Sequence, residues 1–324
     1  WSVNVQPYSG SPANLAVYHA LVPVGEKIMG MSLPMGGHLT HGHKVSVTGK
    51  LWNQIPYGVD KNTELLNYGE ILRIAEKEKP KLIVAGYTAY SRIVDFKKFR
   101  EIADACGAIF MVDMSHFAGL VAGGVYPTPF LYADVVTTTT HKTLRGPRSA
   151  LIFSKVNFAP AIDKAVFPGL QGGPHANQIA AVAVALEEAS RPAFKDYASQ
   201  IVKNTRVLAG ELQKLGWRII SGGTDTHLFL MDTWGKSIGG KIASDLLESV
   251  GIIVNKNTIP YDTRTPVDPS GIRIGTAALT TRGMKEKEMV LIAALIDATL
   301  LKKKSEPQLK KEIGELVKRF PLPH

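Results

Sequence analysis

The sequence has very little cysteine, since Cys106 is the single one among 324 residues. One cysteine cannot form a disulfide within the chain, so the disulfide-stapled folds of small secreted proteins are excluded. Cys106 lies where the pattern indicates a helix end, and we interpret it as a small apolar side chain rather than a reactive thiol. Because nothing in the composition points to an oxidising compartment, we expect a cytoplasmic protein.

The sequence also lacks an apolar run of the roughly 20 residues that a membrane-spanning helix needs. Apolar residues make up 45% of the chain and charged residues 20%, and the mean hydropathy is close to zero. These values are typical of a globular protein. At roughly 100 to 200 residues per domain, the length suffices for about two domains. We expect no membrane association.

Basic residues exceed acidic ones, 38 to 28, which gives a formal net charge of +10. Such a charge suits an anionic ligand or a nucleic acid. Much of the excess, however, lies between residues 302 and 319, where basic residues are interleaved with Leu309, Ile313 and Leu316 at helical spacing. A solvated helix face explains this pattern best, so no nucleic-acid partner is expected.

The first residue is Trp1 rather than methionine, and the residues after it resemble folded structure rather than a leader peptide. We expect the natural protein to contain residues before Trp1. Any targeting peptide would lie among them, so the expected cytoplasmic location depends on composition alone.

Short β-rich apolar runs alternate with amphipathic helical stretches in the first half of the chain. The predicted strands are Ile28 to Leu33, Leu82 to Ala85, Ile109 to Val112, Val135 to Thr138 and Leu151 to Phe153. Helices are predicted from Tyr68 to Lys79, before Pro80, and from Phe96 to Cys106, before Gly107. This alternation indicates an α/β domain with a mainly parallel sheet.

A loop rich in glycine and proline, residues 167–174, precedes an alanine-rich helix from about Asn177 to Ala189. We place a domain boundary near Arg191 and Pro192. The large domain would comprise residues 1–190, and a smaller C-terminal α/β domain would comprise residues 191–324. In the smaller domain we predict a long helix, strands around 217–220 and 228–231, another helix and C-terminal helices.

The segment Ser9-Gly10-Ser11-Pro12 has the features of a helix start. Free backbone amides at that terminus attract phosphate, and glycine allows the ligand to approach the backbone closely. The two serine hydroxyls add further donors. An ordinary capped helix explains the same residues, so both interpretations stay open.

Asp113 follows the apolar run of residues 109–112 and would end a buried strand, with His116 three residues later. Ligands of open α/β sheets collect at the carboxyl edge of the strands. Taken alone, Asp113 would be explained as a helix cap or turn residue. His116 and a lysine at the end of the next strand favour a functional role.

That lysine is Lys142, which follows four consecutive threonines and His141. An isolated lysine at a strand end is usually solvated. Covalent catalysis needs a neutral amine, however, and the lysine pKa of about 10.4 must be lowered by burial or nearby cations. His141, Arg145 and Arg148 could supply such a setting.

Two further motifs have both structural and functional interpretations. His38, His41 and His43 resemble a metal cluster, but no acid or thiol lies nearby in the sequence, and an imidazole stacked on an aromatic ring fits equally well. We expect no metal. Arg273, amid apolar and glycine residues, could grip a substrate carboxylate or pair with an internal acid.

Together these residues closely resemble serine hydroxymethyltransferase, a fold-type-I pyridoxal-phosphate enzyme that interconverts serine and glycine with tetrahydrofolate as carbon carrier. The resemblance runs from Asn4 to the C-terminus. The segments that carry it are Ser9 to Ser11 with Ala13-Asn14, Gly36 to His41, Val112 to Met114, Thr137 to Arg148, Gly172 to Pro174, Asn255 to Asn257 and Gly271 to Arg273.

The resemblance implies a role for each candidate residue. The cofactor site would comprise Lys142 as the covalent lysine, Asp113 at the ring nitrogen, His38 on the ring, His116 by the phenolic oxygen, Ser9, Gly10 and Ser11 at the phosphate, and Thr88, where the family usually has serine. His141 would belong to the catalytic set. Substrate and folate contacts would be made by Arg273, Arg148, Leu33, Gly37, Leu39 and Asn257.

The resemblance also implies a homodimer with shared active sites, in which Gly172 and Gly173 reach the cofactor of the partner subunit. Lys142 would exchange for the amino group of serine, and the hydroxymethyl carbon would pass to tetrahydrofolate, leaving glycine. The family has an N-terminal arm upstream of the position of Trp1. That arm carries a catalytic glutamate, active-site tyrosines and much of the dimer contact.

Other functions share part of this pattern. A threonine aldolase or an aminotransferase of the same fold would keep Lys142 and Asp113 but would lack the folate contacts. A catalytically impaired chain that only binds cofactor or a partner, and a basic nucleic-acid-binding module, are the non-enzymatic alternatives. Nothing in the sequence matches a nucleic-acid-binding signature.

Overall fold

The computed structural model describes residues 1–323, and these divide into two compact units. Within the described residues, the first unit comprises residues 1–60, 66–88 and 94–195, and the second comprises residues 61–65, 89–93 and 196–323. The sequence analysis placed a boundary near Arg191 and Pro192, whereas the two units divide between Lys195 and Asp196, and residues 61–65 and 89–93 join the second unit. Each unit has its own sheet.

The first unit is built on a seven-stranded sheet with the order β1-β7-β6-β5-β4-β2-β3. Its strands are β1 (Ser2–Asn4), β2 (Lys27–Met31), β3 (Asn53–Tyr57), β4 (Leu82–Gly86), β5 (Ile109–Asp113), β6 (Val135–Thr139) and β7 (Ala150–Ser154). Strands β2 to β6 pair in parallel, and the antiparallel pairs are β6 with β7 and β7 with β1. The α/β class with a mainly parallel sheet is thereby confirmed.

Local signals in the sequence set the ends of the helices in the first unit. The helices are α1 (Gly10–Leu21), α2 (Val47–Leu51), α3 (Tyr68–Glu78), α4 (Phe96–Cys106), α5 (Ala118–Ala122), α6 (Ala159–Lys164) and α7 (Ala176–Ser190). At the start of α4, for example, the Asp95 carboxylate accepts a hydrogen bond from the Lys98 amide, and Gly107 ends the helix at φ +70°.

The two faces of this sheet bury different side chains. Aliphatic residues such as Ile28, Val84 and Met111 pack against α1 and α6 on one face. On the other face, Phe110 stacks on Phe99 of α4, with ring centroids 5.9 Å apart. Because side chains alternate along a strand, Phe110 and Met111 point to opposite faces, and both are fully buried.

The second unit contains a four-stranded antiparallel sheet with the order β10-β11-β9-β8. Its elements are α8 (Pro192–Lys214), whose first turn belongs to the first unit, β8 (Arg218–Ile219), β9 (Leu228–Asp232), α9 (Gly240–Ser249), β10 (Asn255–Asn257), β11 (Gly271–Gly275), α10 (Ala277–Thr281), α11 (Glu286–Leu300) and α12 (Glu306–Arg319). Fully buried Phe229, Met231 and Ile272 contribute to its core, together with α11. None of the described helices is both long and apolar enough to span a bilayer.

Some elements differ from their predictions. Strand β2 ends at Met31 rather than Leu33, because Leu33 begins a short 3-10 turn that contains Pro34. Strands β1, β3, β10 and β11 were not predicted. Strand β3, Asn-Gln-Ile-Pro-Tyr, contains a proline and few apolar residues, and it lies at the edge of its sheet, where such a composition is tolerated.

Gly86, the last residue of β4, lies close to the backbone of β5 at the carboxyl edge of the sheet. Its φ is +146°, and a Cβ atom there would lie 2.2 Å from the Asp113 carbonyl oxygen. We expect Gly86→Ala to lower the free energy of unfolding by about 3 kcal/mol, because the backbone conformation and the steric clash both oppose it. Urea denaturation would measure the loss.

The matched control is Gly210→Ala in α8, since a Cβ atom at Gly210 would meet nothing within 4 Å and its backbone is not in the left-handed region. An equal loss of stability in both variants would show that the close approach of β4 to Asp113 is unimportant.

Candidate active site

A cavity of about 200 Å³ lies in the first unit at the carboxyl ends of β4, β5 and β6. The residues that line it are Ser9, Gly10, Ser11, His38, Tyr87, Thr88, Asp113, Ser115, His116, Thr139, His141, Lys142 and Arg148. Every residue that the sequence analysis assigned to catalysis therefore lies in its wall. So do five more of the predicted ligand-binding residues: Ser9, Gly10, Ser11, Thr88 and Arg148.

The amino terminus of α1 forms one wall of this cavity. Ser9 occupies the N-cap position, but its side chain makes no capping hydrogen bond, and Pro12 lies in the first turn. A Cβ atom on Gly10 would lie 2.7 Å from the Thr139 methyl group, so only glycine fits there without displacement. Helix amides and two serine residues thus line a space suited to an anion such as a phosphate.

Asp113 is a buried carboxylate that is held ionised. It is 6% exposed. Its Oδ1 accepts a hydrogen bond from the Ser115 amide (3.1 Å), and its Oδ2 accepts from Asn14 Nδ2 (2.8 Å) and pairs with His41 Nε2 (3.3 Å). Burial alone would raise the pKa of Asp113, but the contacts with His41, His38 and Ser115 outweigh it and hold the pKa well below its usual range.

The two cavity histidines with shifted pKa values favour the neutral form. The pKa of His38 is lowered to about 4, chiefly by burial and next by the proximity of His41, with an opposing effect of Asp113. The pKa of His141 is also lowered, first by burial and then by the charges of Lys142 and Arg148. A neutral imidazole can pack against an aromatic ring without the cost of burying a charge.

A tightly bonded turn after β6 presents Lys142. The Gly146 amide donates to the Thr140 carbonyl oxygen (2.7 Å), and the Arg145 amide donates to that of Lys142 (3.0 Å). On the far side, Thr143 Oγ1 donates to the His116 carbonyl oxygen (2.9 Å). The backbone on both sides of Lys142 is therefore fixed. Arg145 is exposed, with its guanidinium near the Phe194 ring, whereas Arg148 lines the cavity.

Other predicted ligand residues of the first unit lie outside the lining of this cavity. Leu39 lines a second, more apolar cavity of about 310 Å³, together with Tyr8, Leu15 and Val47. A Cβ atom on Gly37 would lie 1.9 Å from the Met31 carbonyl oxygen, so Gly37 permits a close backbone approach. The remaining three are Leu33, in the short turn after β2, and Gly172 and Gly173, which are exposed before α7.

Arg273 and Asn257 belong to the second unit and lie on adjacent strands. The Arg273 guanidinium donates to Asn255 Oδ1 (3.1 Å), and burial lowers the pKa of Arg273. Asn257 donates from Nδ2 to the Thr258 carbonyl oxygen (2.6 Å). Within that unit, Arg273 bonds to Asn255 of β10, and Asn257 bonds to the residue that follows β10.

The sequence analysis gave no role to several residues that shape the site. Asn14, Thr40 and His41 are buried and form hydrogen bonds around Asp113, and Ser115 bonds to Thr139. One signal could have revealed Asn14, because it is a polar residue among the apolar residues of α1. Its partners are distant in sequence and could not have been assigned without the fold.

His38, His41 and Asp113 offer potential metal ligands within 4.8 Å of one another. Their atoms are already engaged in hydrogen bonds, however. His41 Nδ1 accepts from the His38 amide (3.4 Å), and His38 Nδ1 accepts from the Thr40 amide (3.2 Å). His41 Nε2 pairs with the Asp113 carboxylate. This arrangement favours a hydrogen-bond network over metal coordination.

The lowered pKa of His38 predicts a contribution to acid sensitivity. Between pH 6.5 and 4, the unfolded state protonates His38 while the folded state does not, so stability falls as the pH falls through this window. His38 should account for up to about 3 kcal/mol of the loss in free energy of unfolding between pH 7 and pH 4, and His38→Gln should remove that contribution. Urea denaturation at pH 7 and pH 4 would measure it, with the exposed His19→Gln as control. An unchanged slope in His38→Gln would contradict the burial of a neutral His38.

Comparison with known proteins identifies the family of the chain. The family model described as serine hydroxymethyltransferase matches residues 1–296. A curated serine hydroxymethyltransferase from Desulfotalea psychrophila (strain LSv54 / DSM 12343) is 53% identical over 324 residues, which cover 99% of this chain and 76% of the relative's own length. The chain belongs to the serine hydroxymethyltransferase family.

Proposed function

We propose that this chain transfers the hydroxymethyl carbon of serine reversibly to tetrahydrofolate, giving glycine and 5,10-methylenetetrahydrofolate, with pyridoxal phosphate as cofactor. Family membership supports the reaction. The observation that carries the proposal is that Lys142, an ionised Asp113 and the amino terminus of α1 line one cavity. A lysine, a buried anion and a phosphate-binding helix end are the groups that this cofactor requires.

The cavity residues fit pyridoxal phosphate in both charge and shape. The phosphate would be held by the α1 amides with Ser9 and Ser11, since the first residues of α1 line the cavity. Asp113 would pair with the ring nitrogen, and neutral His38 would cover the ring. His116 and Thr88 would complete the site, and Lys142 would hold the cofactor covalently.

When bound, the cofactor supplies an electron-deficient ring that accepts the electron pair released at the substrate Cα. Asp113 would keep the proton on the ring nitrogen, because the low pKa of Asp113 leaves it ionised and unable to take that proton. Lys142 would supply the amine that holds the cofactor. Burial first, and then the charges of Lys142 and Arg148, lower the pKa of His141, so a neutral His141 can accept a hydrogen bond rather than add positive charge.

A second set of residues would contact serine and the folate. Arg273 would bind the carboxylate of serine, which suits a guanidinium that is partly buried. The pterin or its benzoyl portion would contact Leu33, Gly37, Leu39 and Asn257, and Arg148 would contribute positive charge. The exposed, apolar Leu39 is consistent with a planar ligand of this kind.

A labelling experiment tests the proposed cofactor. The protein should turn yellow with pyridoxal phosphate, and borohydride reduction followed by peptide mass spectrometry should place the label on Lys142. Lys142→Ala should bind the cofactor only reversibly. A label on another lysine, or no label, would contradict the assignment.

The same preparation tests the reaction. Glycine formation from serine should depend on tetrahydrofolate, and Asp113→Asn should lower its rate by about 100-fold or more, because a neutral amide cannot keep the ring nitrogen protonated. Folate-independent cleavage of threonine as the main activity would favour a threonine aldolase. The family match offers no support for that alternative.

A cytoplasmic location remains a prediction.

We also propose a homodimer in which Gly172 and Gly173 contribute to the partner's site. Helix α7, which follows these glycines, supports the dimer because Val182 is its one buried residue, while Val184 is 60% exposed and Leu186 is 40% exposed. An apolar helix left in water favours association.

Sedimentation would test the dimer directly. The wild-type chain should sediment as a dimer, and Val184→Glu should shift it toward monomer by placing a charge on the α7 surface. Val24→Glu is the control, since Val24 is also exposed but precedes β2. A monomeric wild type, or equal effects of both variants, would contradict an α7 interface.

A further inference from the structure

We propose that Asn14 is a positioning residue for the cofactor, because it orients the Asp113 carboxylate and links it through Thr40 to His38. The inference deepens the proposed function and rests on it for the identity of the ligand. It is carried by the hydrogen bonds around Asn14, whose directions follow from which groups can donate.

The orientation of the Asn14 amide is determined by its two neighbours. The ionised Asp113 carboxylate can only accept, so the NH₂ group must face it, and Nδ2 lies 2.8 Å from Asp113 Oδ2. The carbonyl end then faces Thr137, whose hydroxyl donates to Asn14 Oδ1 over 2.7 Å. Thr137 therefore prevents the amide from turning over.

The second Asn14 N–H extends the network toward His38. It donates to Thr40 Oγ1 (2.8 Å), and the hydroxyl proton of Thr40 is then directed at His38 Nδ1, 2.7 Å away. A single amide thereby connects the carboxylate proposed for the ring nitrogen with the imidazole proposed for the ring face. Changes at Asn14 should disturb both.

Burial makes these bonds strong determinants of geometry. Asn14 and Thr137 are each 1% exposed and Thr40 is 4% exposed, so water cannot replace a lost partner. Asp113 Oδ2 already contacts Asn14 and His41, while Oδ1 has one donor among the described residues, the Ser115 amide. Oδ1 therefore retains an acceptor position, which would take a hydrogen bond from the ring nitrogen of a bound cofactor.

The test compares two ligands, pyridoxal phosphate and the analogue in which carbon replaces the ring nitrogen. If Asn14 acts through Asp113 on that nitrogen, Asn14→Leu should weaken pyridoxal phosphate binding by about tenfold, the effect of one charge-assisted hydrogen bond. Binding of the analogue should change by less than about twofold, since it has no ring nitrogen to position. Equal weakening of both ligands would overturn the inference, because a purely structural role predicts it.

Thr137 provides a milder variant that retains the volume of the side chain. Thr137→Val removes the hydroxyl that holds the Asn14 amide, whereas Thr137→Ser retains it. We expect Thr137→Val to weaken pyridoxal phosphate binding selectively over the analogue, and Thr137→Ser to restore near-wild-type binding. If Thr137→Val binds both ligands as the wild type does, Thr137 does not secure Asn14 and the proposed network is refuted.

Asn204→Leu is the matched control for loss of a buried asparagine. Asn204 is fully buried in the second unit, where Nδ2 donates to Thr280 Oγ1 and to the Met284 carbonyl oxygen, both at 2.9 Å. Its replacement should lower the thermal midpoint without any selectivity between the two ligands. Selective weakening by Asn204→Leu would also count against a specific role of Asn14.

Failure of the proposed function gives a different result. If the wild-type chain is not labelled at Lys142, both the function and the role of Asn14 are lost. If the wild type is labelled but the Asn14 and Thr137 variants do not discriminate between the ligands, the positioning role alone is lost.

Discussion

The arrangement of the site depends on one buried carboxylate. Asp113 lies at the end of β5, where an unpaired ion would be too costly to bury. Hydrogen bonds from Asn14 of α1 and from the Ser115 amide, and the contact with His41, remove most of that cost. These partners come from three separate parts of the chain, so the charge is maintained only when helix, loop and strand are all in place.

The same requirement explains why α1 has two functions. Its buried face, which includes Ala13 and Val17, packs on the sheet as part of the aliphatic core. Its amino terminus faces the cavity, and Asn14 lies between the two, within reach of Asp113 and Thr40. A shift of α1 along the sheet would therefore move the anion-binding end and break the support of Asp113 together. Packing and chemistry are coupled through this helix.

Much of the cavity could be predicted from the sequence because the carboxyl ends of parallel strands meet at one edge. Asp113 is the last residue of β5 and Lys142 follows β6, and a predicted parallel order already brings them near each other. Asn14 could not be assigned in this way, because its partners lie 26, 99 and 123 residues away. Strand β3 escaped prediction because an edge strand can retain a proline and few apolar residues.

The sequence by itself determined which residues could do chemistry and which family they indicate. Local features can be recognised from the sequence without the fold. Examples are the glycine at position 10, the acid at the end of a buried strand and the lysine after a run of threonines. Only the tertiary structure decided how these groups are charged and supported. The low pKa of Asp113 and the neutral state of His38 follow from burial and from contacts between distant segments, which depend on distances in space rather than along the chain.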